Sequence, residues 1–351
     1  MKFTTVLIFL SALMTIISCS DKTTVKSQKV ENDQLKALII DGQNNHGVFP
    51  MTTVMMKDYL EETGLFEVDI ERTKYIYQGP HHNEIEGVDS IQQLVDMYPI
   101  ESEKEFEHTS KPQSDSDYHP NFSKYDVVIC NFGWQTADWP KQTQDDFVKY
   151  MKSGGGLVII HAANNAFGDW DEYNKMIGLG GWGGRDENSG PYVYYDDNDE
   201  LQRDMSEGNA GSHGPQHEFV LTTRSPDHPI MKDLPEKWLH TKDELYERLR
   251  GPAENMTVLA TAFSDKEGNQ APWDKTRKGS GNHEPMLMTI EYGEGRVFHT
   301  ALGHMDYSME SVGFIITFQR GAEWAATGKV TIDVPDDFPT VEQSSARAWR
   351  K

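Results

Sequence analysis

Two short apolar segments decide how this chain folds: Lys36-Ala37-Leu38-Ile39-Ile40 and Gly156-Leu157-Val158-Ile159-Ile160. An unbroken run of Val, Ile and Leu of this length is typical of a parallel strand that is buried on both faces. The first run leads into Asp41-Gly42-Gln43-Asn44-Asn45-His46, and the second leads into His161-Ala162-Ala163-Asn164-Asn165. We therefore predict an α/β fold in which two buried strands end in polar turns that contain histidine.

The rest of the chain favours the same fold class. Tyr125–Cys130 is a further apolar strand, and helices are predicted from about Thr52 to Thr63 and from Lys141 to Met151. This alternation, with a helix at Ser311–Ala326, indicates a three-layer α/β domain with a mainly parallel central sheet. The second half adds β elements, with strands predicted at Tyr192–Tyr195, Glu218–Thr222, Thr257–Phe263, Met286–Tyr292 and Arg296–Leu302.

The domain is predicted to span residues 34–330, followed by a loose tail at 331–351. Between Lys74 and Ser123 the hydrophobic pattern is interrupted, which predicts a polar insertion. A segment of this length with little regular structure is usually functional or loosely ordered.

The N-terminus has the pattern of a secretory leader. Lys2 precedes an apolar run from Val6 to Ile17, which is too short for a spanning helix. Cys19 follows this run as in a bacterial lipoprotein box, so we expect residues 1–18 to be a signal peptide and Cys19 to carry a lipid anchor. Residues 19–33 are then a polar tether on a periplasmic or outer-membrane lipoprotein of the cell envelope. The alternative is a leader in which Cys19 is incidental.

The net charge restricts the partners of the protein. The formal charge is −23, from 56 acidic and 33 basic residues. Nucleic acids and anionic membrane surfaces are bound by basic patches, so we expect no nucleic-acid partner and membrane contact only through the lipid. A neutral or cationic ligand fits this charge, and the eight Trp residues are compatible with stacking against a sugar.

Three histidines follow predicted strands and are candidates for a common site. Ligands of open α/β sheets bind outside the carboxyl ends of the strands, where His46, His161 and His304 are expected. Ordinary turn formation explains the neighbouring Asn residues but not the histidines. The three side chains are candidate ligands of a divalent metal, Zn or Mn, and would equally serve a metal-free acid/base site.

The turn after Ile160 contains no Ser or Cys nucleophile, which counts against acyl transfer. His161 is instead a candidate general base or metal ligand. Asp243 and Glu244 are adjacent acids in an apolar context, where a buried carboxylate needs a partner. We therefore name His161, His46, Asp243 and Glu244 as candidate catalytic residues, with one of the two acids acting as an acid or as an orienting group.

Polar and aromatic side chains near these positions are candidates for substrate binding. Trp134 or Trp182 is a predicted stacking wall, Trp134 being equally a candidate core residue, and the glycine-rich segment around Trp182 is a candidate lid. The pair His213 and His217 lies in a loop around Pro215, where a functional role for at least one of them and an ordinary loop position are equally open. The predicted substrate-binding residues are Asn44, Asn45, Trp134, Asn164, Trp182 and His217.

At these residues the chain resembles the ThuA-like (trehalose utilisation) family. The matching stretches are Asp41–His46, Gly154–Asn165, Pro215–Phe219, His228–Ile230, Asp243–Tyr246, Tyr292–Phe298, Gly303–His304 and Arg320–Gly328. The resemblance implies a flavodoxin-like sheet similar to that of class I glutamine amidotransferases. Those enzymes have a cysteine where this chain has His161, so amidotransferase chemistry is not expected.

The resemblance also implies a role in sugar catabolism, linked to trehalose and to 3-keto glycosides. The first hypothesis is an enzyme that acts on a mono- or disaccharide, or on an oxidised (3-keto) glycoside, by hydrolysis, elimination or isomerisation. The alternative is a glycan-binding lipoprotein without catalysis that uses the same crevice. A purely structural scaffold would leave the strand-end histidines unexplained.

Overall fold

The computed structural model describes residue 1, residues 34–81, residue 85 and residues 87–350. Residues 34–351 belong to one structural unit. Cys19, the tether and, apart from Met1, the signal peptide lie outside the described residues, so these assignments stay predictions.

Strands and helices alternate through the first half of the unit, and strands dominate the second half. The strands are β1 Leu35–His46, β2 Phe66–His81, β3 Glu107–Thr109, β4 Val127–Cys130, β5 Gly156–Ile160, β6 Tyr192–Tyr195, β7 Leu201–Asp204, β8 Ser212–His213, β9 His217–Thr223, β10 Lys237–Asp243, β11 Tyr246–Glu247, β12 Met256–Phe263, β13 His283–Tyr292 and β14 Gly295–Thr300. The α-helices are α1 Phe49–Glu61, α2 Ile91–Met97, α3 Lys141–Lys152, α4 Asp171–Ile177, α5 Asp306–Met309 and α6 Val312–Thr327.

The central sheet has a parallel half and an antiparallel half. In the described residues its order is β10-β9-β12-β13-β14-β5-β4-β1-β2-β3, with β6 and β7 attached beside β13. All neighbours from β14 to β3 are parallel, and those from β14 to β10 are antiparallel. The predicted α/β fold, with additional β elements in the second half, is confirmed.

Helices cover both faces of the parallel half. On β14, Phe298 fills the space beside Gly321 of α6, whereas His299 bonds to the Ile177 carbonyl at the end of α4. Since successive residues of a strand point to opposite faces, α6 and α4 lie on opposite sides of the sheet. Helix α1 contacts α6, and both belong to one outer layer. The parallel strands are therefore buried on both faces, as their continuous apolar sequence requires.

Strand β10 was not predicted, because its sequence Lys-Trp-Leu-His-Thr-Lys-Asp carries few β-forming residues. It lies at the sheet edge, where it pairs with β9 and buries Trp238 and His240. Its last residue is Asp243, so the fold places the Asp243-Glu244 pair directly at a strand end. Strands β8 and β11 form a separate two-stranded ribbon.

The segment predicted as a polar insertion contains more regular structure than expected. Strand β2 continues past Lys74 to His81, and α2 and β3 follow before Ser123. The backbone N–H of Lys74 donates to the carboxylate of the buried Asp115, which connects the later part of the insertion to β2.

The C-terminal residues 331–350 contain no helix or regular strand, yet they follow the surface of the domain. Leu239 N–H of β10 donates to Thr340 O, and Val312 N–H at the start of α6 donates to Ser345 O. The indole of Trp349 donates to Asp58 of α1. Hydrogen bonds to distant segments and the contacts of single aromatic side chains, Phe338 and Trp349, hold this segment. It has no periodic apolar pattern, which is why the sequence alone predicts a loose tail.

None of the helices in the described part of the chain is long and apolar enough to cross a membrane.

Candidate functional site

Four buried side chains from four separate places in the chain meet at the carboxyl ends of the parallel strands. His46 ends β1, His161 follows β5, His304 follows β14, and Glu244 follows the edge strand β10. Each offers one possible ligand atom, and these atoms all lie within 4.8 Å of one another. We call His46, His161, Glu244 and His304 the His–Glu cluster.

The separations inside the cluster suit a single bound cation. Glu244 Oε1 lies 3.2 Å from His304 Nε2, and Glu244 Oε2 lies 3.6 Å from His161 Nε2. Two ligands at about 2.1 Å from a tetrahedral Zn²⁺ are about 3.4 Å apart. The ring of His46 is 4.6 Å from that of His304 and 5.2 Å from that of His161, measured between centroids. Small shifts of the side chains would complete a four-ligand site.

The conformation of His161 follows from its place in a tight turn. Its φ of 43° lies in the left-handed region, which is uncommon for a residue with a side chain. Its Nδ1–H donates to Ala301 O at 2.8 Å, so in the neutral ring Nε2 carries the lone pair. This Nε2 is buried and makes no hydrogen bond within the described structure, and neither does Glu244 Oε2, which it faces. Two unsatisfied buried atoms that face each other fit a cation that both would bind.

Burial and charge set the protonation states in the cluster. Burial lowers the pKa of His304 to about 4, although the nearby Glu244 carboxylate acts in the opposite direction. The low pKa favours a neutral imidazole. Burial raises the pKa of Glu244, but His304, His161 and His213 outweigh it and leave the pKa below its ordinary value. Burial also lowers the pKa of His161, but the negative charges of the nearby Glu244 and Asp243 carboxylates raise it overall. The carboxylate is therefore ionised, as metal binding requires.

A cleft of about 450 Å³ opens above the His–Glu cluster. Its walls are mostly aromatic, and among the described residues that line it Glu244 is the only carboxylate and no Lys or Arg occurs. The lining residues are Asn45, His46, Trp134, Asn165, Trp182, His213, Glu244, Tyr246, Pro272, Trp273 and His304. The volume lies within the range of ordinary small-molecule sites.

A larger groove of about 650 Å³ lies at the opposite, amino-terminal ends of β4 and β5. Its ionisable groups are solvated: the side chain of His119 is 56% exposed and that of Asp146 is 39% exposed. The cleft above the His–Glu cluster is the better candidate site, since it combines buried unsatisfied groups with the strand ends.

A family model described as trehalose utilisation (ThuA) matches residues 72–325. A crystal structure of a ThuA-like protein from Parabacteroides merdae is 41% identical, covers 90% of this chain and 98% of that chain, and gives a TM-score of 0.72. The chain belongs to the ThuA family. A ThuA-like protein from Bacteroides uniformis is 17% identical over 85% of this chain and 93% of its own, with a TM-score of 0.49. No curated protein matches the chain.

The structure of this ThuA-family chain separates the two adjacent acids. Glu244 points into the cluster, whereas Asp243 is fully buried beneath it and does not line the cleft. Burial tends to raise the pKa of Asp243, but hydrogen bonds from His240 and Gly303 hold it at about 2. The sequence left open which acid reacts and which orients, and the geometry gives Asp243 the orienting position.

The predicted substrate-binding residues are placed unequally. Asn45, Trp134 and Trp182 line the cleft. Asn44 holds the neighbouring loop instead, because its amide donates to Asn131 O and Phe132 O. Asn164 is fully buried and donates to His299 Nε2, away from the cleft lining.

The predicted histidine pair is also divided by the fold. His217 starts β9 and bonds only locally, through Nδ1, to Pro215 O. His213 lines the cleft, and its Nδ1 lies 3.4 Å from Glu244 Oε1. Strand β8 pairs with β11, whereas β9 pairs with β10 and β12, so the two histidines lie in different environments.

The glycine-rich segment around Trp182 is held in place rather than free. The guanidinium of the buried Arg185 donates to Gly181 O, Ala166 O and Asn174 Oδ1. The Trp182 N–H donates to Ala210 O. Trp182 is therefore a fixed wall of the cleft in this structure.

Sequence reasoning missed several cleft residues. Asn165 and Tyr246 adjoin residues that were singled out, and Tyr246 lies with its ring centroid 4.3 Å from that of His161. Alternation from Glu244 to Tyr246 would have suggested that both face one side. Trp273 lies in an irregular loop with no pattern, and only the tertiary structure brings it to the cleft, where it contacts the His213 ring.

Proposed function

We propose that this chain is a sugar-processing enzyme whose active site is the cleft above the His–Glu cluster, and that the cluster holds a divalent cation, Zn or Mn. Membership of a family described as trehalose utilisation indicates a carbohydrate-related role. The observation that carries the finer proposal is the pair of buried, unsatisfied ligand atoms, His161 Nε2 and Glu244 Oε2, which face each other where Glu244 lines the aromatic cleft.

The donor set fits a cation. Three imidazoles and one carboxylate are ligands typical of Zn and also occur with other first-row metals. Each of the four residues is at most 7% exposed, and an ionised Glu244 at this depth needs a compensating positive charge. When bound, a cation would stabilise negative charge on a substrate oxygen.

The cleft favours an uncharged sugar. Its aromatic walls, Trp134, Trp182, Trp273 and Tyr246, offer faces for stacking on a sugar ring, and Asn45 offers hydrogen bonds. No Lys or Arg among the described lining residues is available to neutralise a phosphate or an acidic sugar. The expected ligand is therefore an unphosphorylated mono- or disaccharide or a 3-keto glycoside.

The number of carboxylates in the cleft limits the classes of reaction that the site could catalyse. Glycosidases that use two carboxylates need both beside the scissile bond, and Glu244 is the only carboxylate among the described lining residues. Proton transfer next to a carbonyl, as in elimination from or isomerisation of a 3-keto glycoside, needs fewer acids. His213 is suited to move the proton, because Gly214 O accepts from its Nδ1–H and leaves Nε2 for exchange.

Metal analysis of the purified protein tests this proposal. We expect near-stoichiometric Zn or Mn in protein prepared without chelators or a His tag, and loss of the metal in His161→Ala and His304→Ala. His217→Ala is the matched control, because it removes a histidine that does not line the cleft. A metal-free wild-type protein that also takes up no added Zn or Mn would overturn the metal centre.

Turnover distinguishes an enzyme from a glycan-binding protein, the second candidate, which the aromatic walls also support. Trehalose and its 3-keto derivative are the first substrates to test by mass spectrometry and NMR. For an enzyme, His213→Gln abolishes most turnover and leaves sugar binding nearly intact. For a binding protein, no sugar is consumed, and Trp182→Ala weakens binding.

A further inference from the structure

Asp243 lies beneath the His–Glu cluster and holds its backbone. Its Oδ1 accepts the N–H groups of Glu244 at 2.8 Å and His304 at 3.1 Å. Its Oδ2 accepts Gly303 N–H at 2.8 Å and lies 2.9 Å from His240 Nε2. Two of these donors are the backbone N–H groups of residues in the cluster, so one carboxylate fixes both Glu244 and His304.

A third member of the cluster depends on the same turn. His161 donates from Nδ1 to Ala301 O, and Ala301 begins the segment 301–304 that Asp243 holds at its other end. The φ of Gly303 is +103°, a conformation that favours glycine, and in this turn the N–H groups of Gly303 and His304 both reach Asp243. Movement of this turn would shift His304 and the partner of His161 together.

The orientation of Asp243 is set in turn by His240 and Ser311. All three side chains are completely buried. His240 Nε2–H donates to Asp243, and Ser311 Oγ lies 3.1 Å from the other ring nitrogen, Nδ1, which accepts the hydroxyl hydrogen when the ring is neutral. Ser311 occupies the N-cap position of α6, where a serine usually bonds to the helix backbone, but its side chain makes no capping hydrogen bond. The hydroxyl is directed to His240 instead.

We propose that Ser311, His240 and Asp243 are positioning residues of the metal centre, which hold Glu244, His304 and His161 in the geometry that binds the cation. This inference rests on the proposed function. Outer groups of this kind orient ligands, and their removal typically lowers metal affinity by about 10- to 100-fold. They are not catalytic residues, because none of them lines the cleft.

The test compares the metal affinity of conservative variants that remove or keep the hydroxyl group of Ser311. In Ser311→Ala we expect the affinity for Zn²⁺, measured by competition with a chromophoric chelator, to fall by about tenfold. Ser311→Thr keeps the hydroxyl and should restore the affinity. Thr317→Val is the matched control: it removes another buried hydroxyl of α6, one that bonds only to its own helix at Gly313 O and Phe314 O.

Asp243→Asn tests the centre of the network. Its amide nitrogen would face backbone N–H groups, so we expect a larger loss of Zn²⁺ affinity than in Ser311→Ala. Affinities in Ser311→Ala and Asp243→Asn equal to the wild type, with Thr317→Val also unchanged, would overturn the positioning role. Equal losses in Ser311→Ala and Thr317→Val would show a general effect of stability and would also overturn it.

A second readout does not need the metal. The imidazole nitrogen resonances of His161 and His304 report their hydrogen bonds in metal-free protein. If the proposed function is wrong and the wild type binds no metal, the positioning role still requires Ser311→Ala to shift both signals, and Thr317→Val to leave them in place. Unchanged signals in Ser311→Ala would refute it independently of the metal.

Discussion

Glu284 in β13 is a buried carboxyl outside the candidate site, and its protonation should control the stability of the protein. The residue is 2% exposed, its Oε2 accepts the backbone N–H of Arg248 at 3.1 Å, and the side chain of Ser280 also hydrogen-bonds to the carboxyl group. Burial, supported by the nearby Glu247 carboxylate, raises its pKa from 4.5 to about 8. The folded protein therefore keeps a proton that the unfolded chain loses.

The sign and size of the effect follow from this difference. A group with a raised folded-state pKa stabilises the fold fully below its unfolded pKa, and the stabilisation is lost as the pH rises through the folded value. A rise from 4.5 to about 8 corresponds to about 5 kcal/mol in total, at 1.36 kcal/mol per pH unit. Between pH 5 and pH 7 the expected loss is about 2.5 kcal/mol.

Glu284→Gln removes this titration, because Gln has nearly the same shape and can still accept the Arg248 N–H. Urea unfolding of the wild type and the variant at pH 5, 6, 7 and 8 gives the free energy of unfolding of each. The advantage of Glu284→Gln over the wild type should grow by about 2.5 kcal/mol from pH 5 to pH 7. Glu291→Gln, on the exposed part of the same strand, is the control and should show no such trend.

A free-energy difference between Glu284→Gln and the wild type that stays constant from pH 5 to pH 8 would refute this reasoning. It would mean that Glu284 is ionised in the folded protein at pH 5 as it is in the unfolded chain.

Three further predictions concern a buried ion pair, a strand-end loop and the cleft. Arg72→Met should lower the free energy of unfolding by about 3–5 kcal/mol, measured in urea, because it leaves the fully buried carboxylate of Asp41 without its ion-pair partner; a change below 1 kcal/mol would contradict this. Gly133→Ala should destabilise the strand-end loop and lower the melting temperature, because a Cβ there would lie 2.3 Å from Asn44 Oδ1. Trp273→Ala should weaken trehalose binding severalfold in calorimetry without changing the melting temperature, since this side chain is 55% exposed at the cleft mouth; unchanged affinity would remove Trp273 from the binding surface.

The parallel half of the fold could be predicted because its signals are local. Gly156–Ile160 was predicted as a strand and has the same bounds in the structure, since a continuous run of apolar β-formers is stable only between two helical layers. Strand β10 could not be predicted in this way. Its polar residues are accommodated by partners from distant segments, such as Ser311 beside His240.

The histidines of the site follow from sequence together with one topological rule. Three strand ends that carry His46, His161 and His304 must lie at one edge if their strands are parallel neighbours, and the structure places them there. The family is confirmed by the match over residues 72–325. The lipid anchor remains a prediction.

By itself, the sequence determined the buried parallel strands and the identity of the polar groups at their ends, because both depend on the residues of single segments. Only the tertiary structure decided which residue of each candidate pair, Asp243 or Glu244 and His213 or His217, faces the site. The Asp243 side chain lies beneath the His–Glu cluster, whereas the Glu244 side chain points into it. His213 lines the cleft and His217 does not. These choices depend on the direction in which the chain leaves a strand and on the donors that distant segments supply, and neither is encoded in local periodicity.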